Sequence, residues 1–460
     1  MQDTQVKLSP PELKNKRVLV VGLGKSGIAA ARFLKARGAQ VTVSDIRPAG
    51  LIAELPALLD AGIMVETGSH GILTFRRQDL IVVSPGVPLS TPELSTVRAL
   101  GIPIIGEFEL GTQFLQGQVI AITGSNGKTT TTTLIGEIFK ASGKPTLVGG
   151  NIGRPVVDMV AEANTETWSV LEVSSFQLET IETFQPRIAL VLNITPDHLD
   201  RHGSFEAYAA AKTRITENQA AEDFLVLNAE DEPTKLVAAK TKAQIYWFSP
   251  RRQVKQGAFV HGETIFFRAK ENGEAEPILP VAEIPLAGAH NVENVLAAVC
   301  AARLAGVNAE TIREAVAAFH AVEHRLEFVR ELNGVRWFND SKATNVDATA
   351  KAVEAFPGGI WLILGGKDKD SDYSTLSPLL RARVKAVITI GSAAEKIESH
   401  LAGVVKIERA GTMDRAVAWA QKEAKSGDVV LLAPACSSFD QFENYEHRGR
   451  VFKQLIGALE

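Results

Sequence analysis

The sequence predicts an α/β protein assembled from three units in series, each a parallel sheet with helices on its faces. Three observations predict it. Short β-branched, apolar runs alternate with helix-patterned stretches along the whole 460-residue chain. Those runs are continuously apolar rather than alternating, the pattern of strands buried on both faces. Two of the strand-to-helix junctions carry glycine loops, GLGKSG at 22–27 and TGSNGKTT at 123–130.

In the first unit, KRVLVVGLG, QVTVSDIR, DLIVVSPGV and IPIIGEFEL read as strands, and KSGIAAARFLKARG between the first two reads as a helix that ends at Gly38. The unit is taken as 1–106. The second, 107–321, opens with strand, glycine loop and helix in GQVIAITGSNGKTTTTTLIGEIFKASG. Buried strands follow in WSVLEVSSF and RIALVLNIT, then a turn-rich region over 228–280 that reads as hairpins, then the closing helix NVENVLAAVCAARLAG. The third unit, 322–460, starts around HRLEFVRELNGVRWFND and has strands at IWLILGG, KAVITIG and DVVLLAPA. No short internal repeat is visible.

Bulk properties narrow the function classes. The formal net charge is −4 and the isoelectric point about 6.2, with no basic stripe of the kind a nucleic-acid binder carries. Anionic substrates must therefore be held by local basic groups. Cys300 and Cys436 lie far apart and lack metal-ligand spacing, and Cys300 sits in an alanine-rich helical run. Reduced, buried thiols fit a reducing compartment. The polar N-terminus lacks the apolar core of a signal peptide, and the longest apolar runs are strand-length. A cytoplasmic protein with no membrane span is expected.

The first glycine loop follows a strand and opens a helix, and Asp45 ends the next strand. That is the dinucleotide fingerprint, in which phosphates meet a helix N-terminus. Three readings stay open on these residues: a ligand-free tight turn, a dinucleotide site, or a site for another nucleotide with Asp45 or Arg47 on its sugar or base. The second loop is more specific. Gly124 and Gly127 permit close backbone approach, Lys128 brings a cation to terminal phosphates, and Thr129 offers a hydroxyl to magnesium. The usual P-loop has its first glycine where this chain has Ile122, so the loop is a related but distinct version. The bland alternative is a helix start with a solvated lysine.

TGSNGKTT resembles the shortened P-loop of the ATP-dependent Mur ligases and folylpolyglutamate synthases. Further matches lie in GGNIG, LEVSSFQLE, NITPDHLDRHGSFEAYAAAK, LAGAHNVENVLAA and HRLE. NDSKATN, LGGKDK and PACSSFDQFENYEHRG resemble the Mur ligases that use D-glutamate, and folylpolyglutamate synthases lack the N-terminal unit. The resemblance covers nearly the whole chain. It implies a Rossmann-like N-terminal domain, a central P-loop ATPase-like domain and a Rossmann-like C-terminal domain. It also implies a cytoplasmic, monomeric enzyme of peptidoglycan precursor synthesis that makes an amide between UDP-N-acetylmuramoyl-L-alanine and D-glutamate.

The same resemblance replaces a dinucleotide by the UDP part of the substrate in the first loop. Lys25 and Ser26 then face the diphosphate, Asp45, Ile46 and Arg47 the uridine, with Ser84 and Gly86 nearby. Asn151, Ser174 and Gln177 also fall on this substrate. ATP falls to Gly124, Ser125, Asn126, Gly127, Lys128, Thr129 and Thr130, with Asn291 and Asn294 on the adenine side, Arg325 on the phosphates and Asp340 on the ribose. Thr129, Glu172, His198 and Lys212 fall on magnesium, two ions in all, with Lys128, Glu172, His198 and Lys212 as the catalytic set. Lys212 is implied to carry carbon dioxide as a carbamate, which turns a cation into an oxygen ligand. Lys342, Thr344, Lys369, Ser438 and Tyr445 fall on D-glutamate. Read from the residues alone, Lys212 is as readily a solvated helix lysine, Glu172 a salt-bridged strand end, and Asn291 a helix N-cap.

Overall fold

The computed structural model describes residues 10–286, 288–319 and 323–459, so the expected joint at 321/322 lies outside the described residues. Three sheets follow one another along the chain. The first has five parallel strands in the order Met64–Thr67, Gln40–Asp45, Arg17–Val21, Leu80–Val83, Ile104–Gly106. Strand order reverses beside Arg17–Val21, and the crevice at such a reversal is where open α/β sheets bind ligands. Gly27 is required there: a Cβ on it would lie 1.9 Å from the Gly22 carbonyl oxygen.

The central sheet has nine strands. Gln118–Thr123, which feeds the P-loop, is flanked by parallel strands Ile188–Val191 and Trp168–Glu172, and Thr146–Gly150 lies beyond the latter. The helices Lys128–Ala141 and Ala289–Leu304 pack together over this sheet, burying Leu134, Ile138, Leu296 and Cys300 completely. The third sheet runs Glu327–Leu332, Val335–Asn339, Val429–Leu432, Ile360–Gly365, Val384–Ile390, Lys406–Gly411, parallel except for its first strand. No helix among the described residues is long and apolar enough to cross a membrane.

Three details differ from the sequence reading. Edge strands Met64–Thr67 and Lys406–Gly411 are half-exposed and mixed in polarity, so no continuous apolar run announced them. Within 228–280 the hairpins are confined to Gly257–His261, Thr264–Arg268 and Ala275–Pro280; Gln244–Ser249 pairs in parallel on both sides, and Glu232–Ala238 is a helix. IPIIGEFEL is strand only to Gly106, after which Glu107–Phe114 is helical.

That last difference has a physical cause. The alternation of Glu107 and Glu109 with Phe108 and Leu110 imitates a half-buried strand, yet all four side chains are buried. Each carboxylate is satisfied by central-unit groups. Glu107 accepts from Val157 N–H at 3.1 Å, and Glu109 from Thr183 N–H at 2.8 Å and Thr183 Oγ1 at 2.6 Å. The two acids fix the helix that opens the second unit, directly after the last strand of the first, against the rest of the second.

Burial, opposed by the Val157 hydrogen bond and reinforced by Asp158, lifts the Glu107 carboxyl from 4.5 to about 7. The folded chain therefore binds more protons than the unfolded one across that interval, and this contribution to stability is lost as pH rises through about 7. Glu107→Gln keeps an acceptor and never ionises. Its thermal midpoint should exceed the parent's at about pH 8.5, by up to about 3 kcal/mol in stability, and match it near pH 5. Calorimetry at the two pH values checks this, and an equal gap at both would assign the effect to packing instead.

Candidate active site

Parallel strands deliver all their following loops to one edge, and that edge carries the site in each unit. In the central sheet the loops after four adjacent strands bring His198, the P-loop, Glu172 and Asn151 side by side. Gly124 and Gly127 have φ of 153° and 86°, values that exclude most side chains. A Cβ on Gly127 would also meet Asn294 Oδ1 at 2.3 Å. The loop is stapled from below by Asn193: Asn126 N–H donates to its Oδ1 at 2.8 Å, and its Nδ2 donates to Asn126 O at 3.1 Å. Ser125 Oγ adds a bond to the Thr195 carbonyl at 2.8 Å. Sequence reading missed Asn193; its signal was a polar residue directly after a buried strand, in NIT.

Lys128 Nζ curls onto its own loop, donating to the carbonyls of Gly124 at 2.8 Å and Ser125 at 2.9 Å. Lys212 Nζ donates to the same Gly124 oxygen at 2.9 Å and lies 4.7 Å from the centre of the Tyr208 ring. Lys212 is 2% exposed, so the solvated-lysine alternative is wrong. Burial, then the charge of Lys128, lowers its proton affinity well below that of a free lysine, against the opposing pull of Asp197 and Glu172. The Glu172 carboxylate is equally buried and accepts from Thr129 Oγ1 at 2.7 Å and Asn151 Nδ2 at 2.8 Å. His198 adopts a left-handed conformation, φ 53°, and packs edge-on against Phe176. Burial outweighs its neighbour Asp197 and lowers its imidazole to about 3, which leaves a ring nitrogen lone pair free to bind a cation.

The third unit presents its own strand ends to this edge. Lys342, Lys369 and Ser438 follow the adjacent strands Val335–Asn339, Ile360–Gly365 and Val429–Leu432. Lys342 Nζ donates to Thr129 Oγ1 and, at 3.2 Å, to the Tyr445 hydroxyl. Burial brings Lys342 down to about 8, opposed mainly by Glu172. Lys369 pairs with Asp197 at 3.1 Å, and Asn345 Nδ2 donates to the other Asp197 oxygen at 3.0 Å. Asn126 of the P-loop donates to Asp347 at 2.6 Å.

Two adjoining clefts result. One, of about 1120 Å³, holds Lys25, the loop residues Ser125 to Thr130, Asn151, Glu172, His198, Arg325, Lys342, Thr344 and Tyr445. The other, of about 990 Å³, holds Ser174, Lys212, Lys369 and Ser438, and shares Lys128, Asn151, His198, Thr344 and Tyr445 with the first. Other expected residues stand behind these walls. Asn291 and Asn294 are buried under the loop and bonded to each other at 3.0 Å; Gly288, not Asn291, is the helix N-cap. Asp340 is buried with Oδ1 unpartnered, and burial raises its carboxyl to about 6 despite Arg325. Ser174 and Gln177 satisfy each other as a capping box, which gives both a local structural task.

The first-unit residues form a separate group. Asp45 accepts from Leu23 N–H at 2.7 Å and from Arg47 at 2.8 and 3.0 Å; these bonds overcome its burial and hold it at about 2. Its carboxylate is thus already engaged within the first unit. Ser84 Oγ donates to Gly22 O at 2.8 Å, Ile46 is exposed, and Gly86 offers its carbonyl to Arg201 of the central unit at 3.4 Å. Lys25 reaches across to the Gly153 carbonyl at 2.5 Å, while Ser26 opens the helix beside it.

Family models match all three units in order. They are the Mur ligase MurD-like N-terminal domain over 16–106, the Mur ligase middle domain over 122–302 and the Mur ligase glutamate ligase domain over 324–436. The chain is similar to the UDP-N-acetylmuramoylalanine--D-glutamate ligase of Acidobacterium capsulatum, 67% identical over 97% of both chains. It is also similar to that of Koribacter versatilis, 61% identical over 97% of this chain and 98% of the other. Among solved structures, a pseudomurein peptide ligase type C from Methanothermus fervidus has a TM-score of 0.61 at 19% identity, covering 97% of this chain and 100% of that one. UDP-N-acetylmuramate-alanine ligase from Thermotoga maritima has a TM-score of 0.60 at 20% identity, covering 96% and 100%. At such identities the two structures speak for the fold.

The staple under the loop is testable. Asn193→Ala leaves the buried Asn126 N–H without a partner, a cost of about 1–3 kcal/mol. Binding of a non-hydrolysable ATP analogue, read by calorimetry, should weaken by about tenfold or more. Unchanged binding would show that the loop holds its shape without the amide.

Proposed function

The chain belongs to the Mur ligase family, and on that premise we propose that it joins the L-alanyl carboxylate of UDP-N-acetylmuramoyl-L-alanine to the amine of D-glutamate, with ATP converted to ADP and phosphate, in peptidoglycan precursor synthesis. The relatives' names supply the substrates. One observation carries the reading: a P-loop, a buried acid–threonine pair and a buried lysine with no carboxylate partner among the described residues converge with two lysines of a separate unit. Residues 1–106 would hold the UDP substrate, 107–321 ATP, and 322–460 D-glutamate, in a monomeric cytoplasmic enzyme.

A carboxylate is a poor electrophile. Transfer of the γ-phosphoryl group to it breaks the phosphorus–oxygen bond to ADP and forms an acyl phosphate. The amine then forms the carbon–nitrogen bond, loses a proton, and phosphate leaves with the carbon–oxygen bond. Bringing two anions together requires charge neutralisation and alignment. Lys128 is placed for the terminal phosphates, and Arg325 enters the same cleft from the third unit. Asn291 and Asn294 support the adenine side from beneath the loop, and the unpartnered Asp340 oxygen suits a ribose hydroxyl. Lys369, Lys342, Thr344, Ser438 and Tyr445 supply cations and hydroxyls for a dicarboxylate.

Magnesium fits the donor set: Thr129 and Glu172 offer hard oxygens at hydrogen-bond separation, and His198 offers a neutral nitrogen. When bound, it neutralises charge on the phosphates. Lys212 would complete a second site only as a carbamate, since a neutral amine in a buried site can add carbon dioxide whereas an ammonium cannot.

Phosphate release in the presence of UDP-N-acetylmuramoyl-L-alanine, scanned over D-glutamate, L-alanine, L-lysine and diaminopimelate, tests the reaction. Release with D-glutamate alone is expected, and equal release without an amino acid would make the protein an ATPase. A second test concerns Lys212. Lys212→Ala should be nearly inactive, regain turnover with added formate or acetate but not chloride, and still bind an ATP analogue through Lys128. Lys212→Arg should resist rescue, because a permanent cation fills the space. Full activity of Lys212→Ala in degassed buffer would remove the carbamate.

A further inference from the structure

An amino-acid substrate arrives with a charge that none of the groups named above answers. D-glutamate carries two carboxylates and an ammonium, and the cleft supplies lysines for the carboxylates. The ammonium calls for an anion where the two clefts meet, because the nitrogen must end beside the activated carbonyl. Three acids border the first cleft, Asp197, Glu172 and Glu446, and two of them, Asp197 and Glu446, border the second as well. Asp197 is fully engaged by Lys369 and Asn345. Glu172 is engaged by Thr129 and Asn151, on the side expected to hold a cation. Glu446 is the third; it accepts a hydrogen bond from the neighbouring Tyr445 hydroxyl, and among the described residues it makes no salt bridge.

Glu446 occupies the first turn of the helix Tyr445–Gly457, directly after Tyr445, and is half-buried. It lines both clefts. It lies near enough to Lys342 to favour that lysine's charged form, although burial dominates there. A carboxylate beside an ammonium at the same wall is the pattern that matches a zwitterion, whose own carboxylate and ammonium sit on one carbon. Helix geometry fixes the pair. Asn444 caps the helix through His447 N–H at 2.7 Å, and Ser341 Oγ donates to Tyr445 O at 2.8 Å, next in sequence to Lys342.

We propose that Glu446 pairs with the α-ammonium of the incoming amino acid and so sets its recognition as an amine donor. The inference rests on the D-glutamate reading above. An acid in the first turn of a helix also has a plain role, stabilising the helix dipole. The two roles part company with glutarate, which is D-glutamate without its amine.

Glu446→Gln should raise the KM for D-glutamate by about tenfold or more, the scale of a lost charge-assisted hydrogen bond, while the KM for ATP stays within about twofold. Competitive inhibition by glutarate should stay within about twofold of the parent. Glu446→Asp, which keeps the charge on a shorter arm, should fall between and covers the case in which the amide variant folds poorly. Absence of glutarate inhibition in the parent, with the D-glutamate KM raised in the variant, also favours the pairing, since the ammonium is then indispensable. An unchanged D-glutamate KM, or equal weakening of D-glutamate and glutarate, overturns it. If the parent itself releases no phosphate with D-glutamate, the substrate reading fails instead.

Discussion

One carbonyl oxygen, that of Gly124, accepts from two lysine amines, Lys128 at 2.8 Å and Lys212 at 2.9 Å. Two ammonium groups that close, both buried, repel each other and lack water to screen them. The surrounding acids do not resolve the conflict, because Asp197 is drawn off by Lys369, and Glu172 by Thr129 and Asn151. An arrangement with surplus buried positive charge is unstable by itself and complete only with anions in place. In the proposed reaction, phosphates relieve Lys128. Lys212 is relieved by losing its proton, which is also the condition for acquiring a carboxylate of its own.

The need for that charge arrangement explains why three units are required. Each sheet sends its loops to a single edge, and each edge is a partial site. The central edge has the glycine loop, Lys128, Lys212, Glu172 and His198. The third edge adds Arg325, Lys342, Lys369 and Ser438. They are held face to face by polar contacts that belong to the site itself: Lys342 to Thr129, Lys369 to Asp197, Asn126 to Asp347. Such contacts are small and exchangeable, unlike the buried Glu107 and Glu109 bonds that anchor the first helix of the central unit. The second-to-third contact is thus built from groups that ligands can replace.

Legibility in the sequence followed the same physics. Central strands were readable because burial on both faces makes them continuously apolar, as in VLVV and WLIL. The edge strands Met64–Thr67 and Lys406–Gly411 escaped because half-exposure permits Glu66, Lys406 and Arg409. Glu107 and Glu109 misled, since alternation with apolar residues cannot reveal that the acids find buried donors far along the chain, at Val157 and Thr183. The P-loop was legible through its local spacing. Lys212 was not: its helix has little amphipathic contrast, and its burial comes from the Gly124 loop and Tyr208, which no local pattern encodes. Asn193 and Glu446 belong to the same class, because their importance lies in what the fold places opposite them.

Arg325 shows how far a single side chain can depend on backbone that pattern cannot reveal. It stands between His324 and Leu326, both left-handed, with φ of 66° and 43°. Non-glycine residues hold that conformation at a cost of roughly 1–2 kcal/mol each. The neighbourhood makes the cost bearable. Glu327 accepts from His324 N–H at 3.0 Å and from Asn339 Nδ2 at 3.0 Å, and Lys453 binds the same carboxylate at 2.8 Å. Gly449 lacks a side chain where a Cβ would lie 2.3 Å from the His324 ring. Two strained residues, an acid, an amide, a lysine and a glycine thus combine to present one guanidinium to the cleft. The same Glu327 carboxylate thus holds the turn from which Arg325 enters the cleft.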